Sequence, residues 1–85
     1  MTITGGKIRY KEGPEGVAII FDHGAPIVFA DLVTELEEIN GVVRITFAAL
    51  TMNGDGLHKA IVVARVRMPK DMAWQFCRAL RELEG

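Results

Sequence analysis

Segments rich in β-branched and aromatic residues follow one another along this chain, and a helical period appears only near the C-terminus. The front of the chain has two such segments, K-I-R-Y-K at 7–11 and V-A-I-I-F at 17–21. Between them lies E-G-P-E-G, whose glycines and proline are typical of a turn. This pattern predicts a first β-hairpin. The stretch from Asp22 to Pro26 is then expected to be a loop.

The segment 31–39 fits two structures. A helix capped by Asp31 would place four apolar residues on one side, namely Leu32, Val33, Leu36 and Ile39. The strand alternative begins from Asn40-Gly41, the strongest short signal for a type I′ hairpin turn, because both central residues must take positive φ. A helix would have to give way to the next strand with almost no connector. We therefore favour a hairpin and keep the helix as the alternative.

The Asn40-Gly41 turn also fixes a register for this second hairpin. It pairs Ile39 with Val42, Glu38 with Val43, Glu37 with Arg44, Leu36 with Ile45, and Thr34 with Phe47. One face then collects Leu32, Leu36, Val43, Ile45, Phe47 and Ala49. On the other face, Glu37 and Arg44 form a cross-strand pair of opposite charge.

A further strand is predicted at 57–68, after the turn cluster M-N-G-D-G. A four-residue loop at 53–56 would pair Ala49 with Ala60, Phe47 with Val62, Ile45 with Ala64, and Val43 with Val66. The opposite face would then group Glu37, Arg44 and Arg65, with Ile61 and Val63 further along. This second face is expected to be mixed in character, because it carries both charged and apolar side chains.

The C-terminal segment has the features of a helix that packs on the sheet. Pro69 suits a first helical turn, and Asp71 complements the positive end of the helix dipole. One apolar stripe follows, made of Met72, Ala73, Phe76, Leu80 and Leu83. Trp74 lies off the centre of that stripe, with Cys77 on the adjoining flank. Trp74 is therefore a candidate contact for a second subunit if the sheet does not cover it.

Together these elements predict an α+β fold in a single domain over residues 1–85. It has an antiparallel sheet of about five strands, a β-hairpin followed by a three-strand meander, and one C-terminal helix packed on one face. The chain has 85 residues, of which 49% are hydrophobic and 25% charged, as in globular proteins. A domain of this length has only a modest core, so a partner subunit would add needed stability.

Charge and hydropathy narrow the choice of partner and compartment. The net charge of −1 gives no field that would gather nucleic acid or an anionic membrane, so both are disfavoured. No apolar run has the length of about 20 residues that spans a bilayer, and M-T-I-T-G-G-K lacks the features of a signal peptide. The one cysteine, Cys77, cannot form an internal disulfide. A cytoplasmic protein is expected.

Residues that could carry catalysis are few and have no recognisable spacing. Asp22, His23, Asp31 and His58 could share a cleft between the first hairpin and the sheet. Neither histidine has a Cys or His at metal-ligand spacing, and Cys77 has no cationic neighbour that would activate it. We therefore predict no enzyme activity, no metal and no cofactor.

Several short motifs resemble a family of small bacterial proteins known only as a domain of unknown function. The motifs are F-A-D-L-V at 29–33, V-R-I-T-F at 43–47, V-A-R-V-R-M-P at 63–69, and a helix with Ala73 and Leu80. The resemblance covers about residues 29–84. It implies the same order of strands and helix and implies no activity. Asp31 stands where that family usually has Asn, the N-G turn is tighter, and the N-terminal hairpin is additional.

The function favoured by the sequence is that of a homo-oligomeric assembly or adaptor module. A single helix on one sheet face would leave apolar residues of the second face and Trp74 uncovered, and burial against another copy would remove them from water. The candidate interface residues are Ile39, Val42, Ile61, Val63 and Trp74. The alternative is a chaperone-like protein that binds a protein or peptide through the exposed sheet face or an edge strand.

Overall fold

A computed structural model of the chain describes residues 5–52, 54 and 56–85. The elements are β1 (Gly6–Arg9), β2 (Val17–Ile20), β3 (Leu32–Ile39), β4 (Val42–Met52), β5 (His58–Pro69) and α1 (Lys70–Leu83). Asn53 and Asp55, which belong to the predicted loop at 53–56, lie outside the described residues. Residues 1–4 at the N-terminus also lie outside them.

The predicted α+β class is confirmed, with five antiparallel strands and one C-terminal helix. The strands form two sheets, a hairpin of β1 with β2 and a meander in the order β3-β4-β5. The first hairpin pairs Lys7 with Ile19 and Arg9 with Val17. The main contacts of α1 are with β4 and β5, so the helix belongs to the meander.

The second hairpin has the predicted turn, and the helical alternative for 31–39 is wrong. Asn40 and Gly41 have φ angles of 53° and 81°, as a type I′ turn requires. Glu37 pairs with Arg44 and Leu36 with Ile45, in the predicted register. The local turn chemistry therefore decided between the two structures.

The predicted and observed pairings of β3 with β4 agree from the turn to Leu36 and differ beyond it, because β3 has a bulge at Thr34. Glu35 pairs with Thr46 but Val33 pairs with Phe47, so Thr34 is an extra residue without a partner and the predicted pairing of Thr34 with Phe47 is wrong. Because the bulge shifts the side-chain alternation by one residue, Val33 lies on the side of Phe47 and Leu32 on the other. The prediction had placed Leu32, and not Val33, on the side of Phe47.

The predicted register of β4 with β5 is also wrong. Near the Asn40-Gly41 turn, Val43 pairs with Met68, Ile45 with Val66 and Phe47 with Ala64. Each of these partners on β5 is two residues further along the chain than predicted. Beyond a second bulge at Val63, Ala49 pairs with Ile61 instead of Ala60. The connection from Met52 to His58 is one residue longer than predicted, and the bulge adds another, which accounts for the shift.

The two faces of the meander differ in chemistry. We call one the apolar face, made of Val33, Leu36, Val43, Ile45, Phe47, Ala49, Ile61, Ala64, Val66 and Met68. We call the other the charged face, which includes Glu35, Glu37, Arg44, Arg65 and Arg67 together with Leu32, Thr46, Ala48 and Val62. Ile61 is thus on the face opposite to the one predicted.

Helix α1 begins directly after β5. Pro69 is the N-cap residue, with φ −60° and ψ 146°, so it precedes the first helical turn instead of forming it. Asp71 lies in the first turn and Arg81 in the last, both favourable for the helix dipole. The Lys70 amide donates a 2.9 Å hydrogen bond to the Gly41 carbonyl, which holds the start of the helix at the β3–β4 turn.

The interior of this fold is very small. Among the described residues the buried apolar side chains are Ala48 and Met68, the buried polar one is Thr46, and none of the fully buried side chains is large. The radius of gyration is 16.6 Å, against about 12 Å for a compact domain of this length. The chain is therefore extended, with apolar surface on most of its elements.

Candidate association surface

The five predicted interface residues are exposed, but they lie on separate parts of the molecule. Ile39 and Val42 flank the Asn40-Gly41 turn as a pair on the charged face. Ile61 is on the apolar face, Val63 is at the bulge of β5, and Trp74 is on α1. The structure therefore brings together only the first two.

Trp74 is part of a deeper feature, a groove between α1 and the turn end of the meander. We call it the helix groove, and its volume is about 390 Å³. Its lining residues are Leu36, Glu37, Glu38, Val43, Ile45, Met68, Ala73, Trp74, Phe76 and Cys77. The sheet contributes side chains of the apolar face, and the two glutamates lie at the rim on β3.

The groove exists because α1 covers the sheet with its small residues. Ala73 and Cys77, one turn apart, are half-buried, whereas no residue of the helix is fully buried. The larger apolar residues of the stripe are exposed, at 51% for Met72 and 48% for both Phe76 and Leu80. The apolar stripe is thus wider than the part of it that the sheet covers.

A second cavity lies at the other end of the apolar face. Its volume is about 400 Å³, and it is lined by Val28 and Ala30 together with Phe47, Ala64 and Val66. The irregular segment before β3 therefore passes over this end of the face, as α1 does over the other. Each element covers the sheet incompletely.

That irregular segment is itself a large apolar surface. Phe21 and Phe29 are each more than 70% exposed, and Ile27 is fully exposed. The strand β3 begins only at Leu32, so Ile27, Val28 and Phe29 lie outside regular structure. The available signal was the run Ile27-Val28-Phe29 next to Pro26, since an apolar run outside regular structure needs a cover of its own.

The charged face is held by ion pairs and a hydrogen bond. Arg44 Nη1 lies 3.8 Å from Glu37 Oε1, and Arg67 Nη2 lies 3.8 Å from Glu35 Oε1. The Thr46 hydroxyl donates a 2.7 Å hydrogen bond to Glu35. That hydrogen bond is the main reason why the pKa of Glu35 is lowered; desolvation opposes it, and the charge of Arg67 makes a smaller contribution that also lowers the pKa. These groups satisfy one another within the chain.

The residues considered for catalysis have separate structural contacts. Asp22 accepts backbone hydrogen bonds from Gly24 and Ala25, and these lower the pKa of its carboxyl group. The His23 ring stacks on Phe21. Asp31 accepts a hydrogen bond from the Leu50 amide, and His58 begins β5. Within the described residues, no three His, Cys, Asp or Glu side chains are placed to share a metal ion.

Comparison of the chain with family models, curated proteins and solved structures found no match. The resemblance of residues 29–84 to a bacterial domain of unknown function stays a prediction. Asp31 can be placed in structural terms, because an Asn carbonyl oxygen could accept the same hydrogen bond from Leu50. In the part of the chain that the structure describes, no helix has the length and apolar character of a membrane span.

Proposed function

We propose that this protein is a homo-oligomeric assembly or adaptor module of the bacterial cytoplasm. The observation that carries the proposal is the amount of surface that the single chain leaves uncovered. Its accessible surface is 7359 Å², whereas a compact monomer of this mass exposes about 5,000 Å². The excess of roughly 2,300 Å² per chain falls in the range that one subunit buries in an obligate dimer, about 1,000–2,500 Å².

The chemistry of that surface supports the same proposal. Ile27, Phe29 and Leu36 are exposed side chains that a folded domain would normally cover, each worth about 1.5–3 kcal/mol when buried. A chain with so small a core gains little to offset the conformational entropy lost on folding. Burial of these side chains against another copy supplies the missing contribution.

The first hairpin adds a separate argument. β1 and β2 have four residues each and form a sheet of their own. An isolated two-stranded hairpin is only marginally stable in water. The exposed Val17 and Ile19 lie on the same face of β2 and give it apolar side chains that a neighbouring subunit could cover.

The test is sedimentation equilibrium of the purified chain over about a hundredfold range of concentration, followed through the absorbance of Trp74. We expect a dimer or larger assembly at every concentration above the dissociation constant. A chain that sediments as a monomer over the whole range would overturn the proposal. A matched pair of variants locates the surface: Phe29→Glu should weaken association, whereas Glu12→Gln, in the exposed turn between β1 and β2, should not.

A peptide-binding, chaperone-like role is the second candidate, favoured by the edge of the meander. β5 has 12 residues and, within the described part of the chain, pairs on one side only, with β4. An extended peptide could add a strand along its free side through main-chain hydrogen bonds. Binding of a labelled, unfolded polypeptide, measured by fluorescence anisotropy, would support this role if the polypeptide dissociated the homo-oligomer into single chains. Failure to bind at concentrations where the chain is monomeric would contradict it.

A further inference from the structure

The helix groove and the uncovered side of α1 belong to the same element, and this suggests how two copies meet. We infer that the helix groove of one copy receives α1 of a second copy, so that two α1 helices pack side by side across a two-fold axis. The inference rests on the proposed function, because it names the element that mediates the homo-oligomer. The occupant is a second copy of this chain.

The groove and the helix are complementary in shape and hydrophobicity. The sheet side of the groove presents Leu36, Val43 and Ile45, and its helix side presents Phe76. The uncovered stripe of α1 offers large apolar side chains, including Leu80 at 48% exposure. In a two-fold arrangement each helix both fills the partner's groove and lines its own, so both apolar surfaces are covered by one contact.

The charges at the margin of the groove also fit. Glu37 and Glu38 lie at its rim, where Glu37 is already paired with Arg44 and Glu38 has no ion pair within the described residues. Helix α1 carries Arg78 and Arg81, neither of which has an ion pair within the described part of the chain. An arginine of an incoming helix can therefore approach Glu38, a group of opposite charge, which favours the encounter and its orientation.

If two α1 helices pack antiparallel across a two-fold axis, the residues at which they cross can be predicted. The helix residues that line the groove lie between Ala73 and Cys77. Because a residue at a two-fold axis meets its own counterpart, this part of α1 should face the same part of the partner helix. The Cys77 thiols of two copies then come close together, and a cross-link can detect this in the unmodified chain.

The test compares two glutamate substitutions on α1 by sedimentation equilibrium. Leu80→Glu should weaken the dimer at least about 100-fold, because each dimer loses two buried leucines and gains two charges in the interface. Gln75→Glu, which adds the same charge on the polar side of the helix, should change the dissociation constant less than about threefold. A Leu80→Glu dimer as tight as the wild type would overturn the inference and leave the proposed function intact. A wild-type monomer would overturn both.

Cross-linking of the wild-type chain keeps the test decisive even if Leu80→Glu does not fold. A short bismaleimide should trap a covalent dimer through Cys77, and Cys77→Ala should abolish the product. Absence of the product at concentrations where sedimentation shows a dimer would overturn the inference. An excess of the same unfolded polypeptide, without its label, should not reduce the yield of the cross-linked dimer. A reduced yield would mean that the polypeptide occupies the groove and would overturn the inference.

Discussion

The Thr46 hydroxyl donates a 2.7 Å hydrogen bond to Oε1 of Glu35, across the β3–β4 pair. Thr46 is one of the few buried residues described, with 6% of its surface exposed. Glu35 stands next to the bulge at Thr34, where the alternation of β3 changes. This hydrogen bond therefore lies where the register of the hairpin departs from what the turn alone imposes.

The first prediction concerns the effect of this hydrogen bond on stability at different pH. The pKa of Glu35 is lower in the folded chain than its ordinary value of 4.5, chiefly because of the Thr46 hydroxyl. A carboxyl group with a lowered folded pKa stabilises the fold above the unfolded pKa, and this contribution is lost as pH falls through the folded pKa. Thr46→Val should therefore lower the free energy of unfolding most near neutral pH, with a difference from wild type that narrows below pH 4.5.

Urea denaturation at a series of pH values measures this difference. Thr51→Val is the matched control, because the Thr51 hydroxyl donates to the Lys59 carbonyl instead of a carboxylate. Its effect should not depend on pH. A constant difference for Thr46→Val from pH 7 to pH 3 would mean that the hydrogen bond does not favour the ionised form of Glu35.

The parts of the fold that the sequence predicted are those set by local chemistry. Asn40-Gly41 determines its own turn type, and the pairing of Glu37 with Arg44 follows from that turn. Pro69 and Asp71 similarly mark the start of α1. In each case, residues within a few positions of one another decide the outcome.

The errors come from single extra residues whose position depends on the whole sheet. Thr34 and Val63 are ordinary strand residues by composition, yet each is a bulge that moves the following side chains to the other face. Ile61 changed face because the connection from Met52 to His58 is one residue longer than predicted, and the predicted interface changed with it. The helix groove could not be foreseen either, because it depends on the distance between α1 and the sheet.

Gly41 provides the second prediction. Its φ of 81° lies in the left-handed region, and its carbonyl accepts the hydrogen bond from Lys70. Gly41→Ala should lower the free energy of unfolding by about 1–2 kcal/mol, since a Cβ disfavours this conformation. Gly54→Ala is the control, because φ there is outside that region and an added Cβ meets nothing within 4 Å. Equal effects of the two substitutions in chemical denaturation would contradict this account.

Asp31 provides the third prediction, through its two links to β4. Its amide donates to the Ala48 carbonyl at 3.1 Å, and its side chain accepts from the Leu50 amide at 2.9 Å. Asp31→Ala removes the second link and should cost about 1 kcal/mol. Asp31→Asn keeps an acceptor oxygen and should remain close to wild type. If both variants lose equal stability in thermal denaturation, the charge of Asp31 matters and the hydrogen bond alone does not account for it.

Ala48 provides the fourth prediction, because it is completely buried in the centre of the meander. A larger side chain has no space there, so Ala48→Leu should destabilise the fold by about 1–3 kcal/mol. Ala60→Leu makes the same change at an exposed position of the neighbouring strand and should alter stability by less than about 0.5 kcal/mol. Urea midpoints of the two variants measure the contrast, and a tolerant Ala48 would show that the sheet can open around this position.

The fifth prediction follows from the weakness of the single chain. If burial between copies stabilises the fold, unfolding is coupled to dissociation and the Tm must rise with protein concentration. A tenfold increase contributes about 1.4 kcal/mol per dimer, which corresponds to a rise in Tm of about 4 °C for a dimer of two such chains. Calorimetry at three concentrations measures the rise, with a monomeric protein of similar size as the control. A Tm that does not change with concentration would mean that the chain is stable alone, in spite of the exposed Ile27 and Phe29.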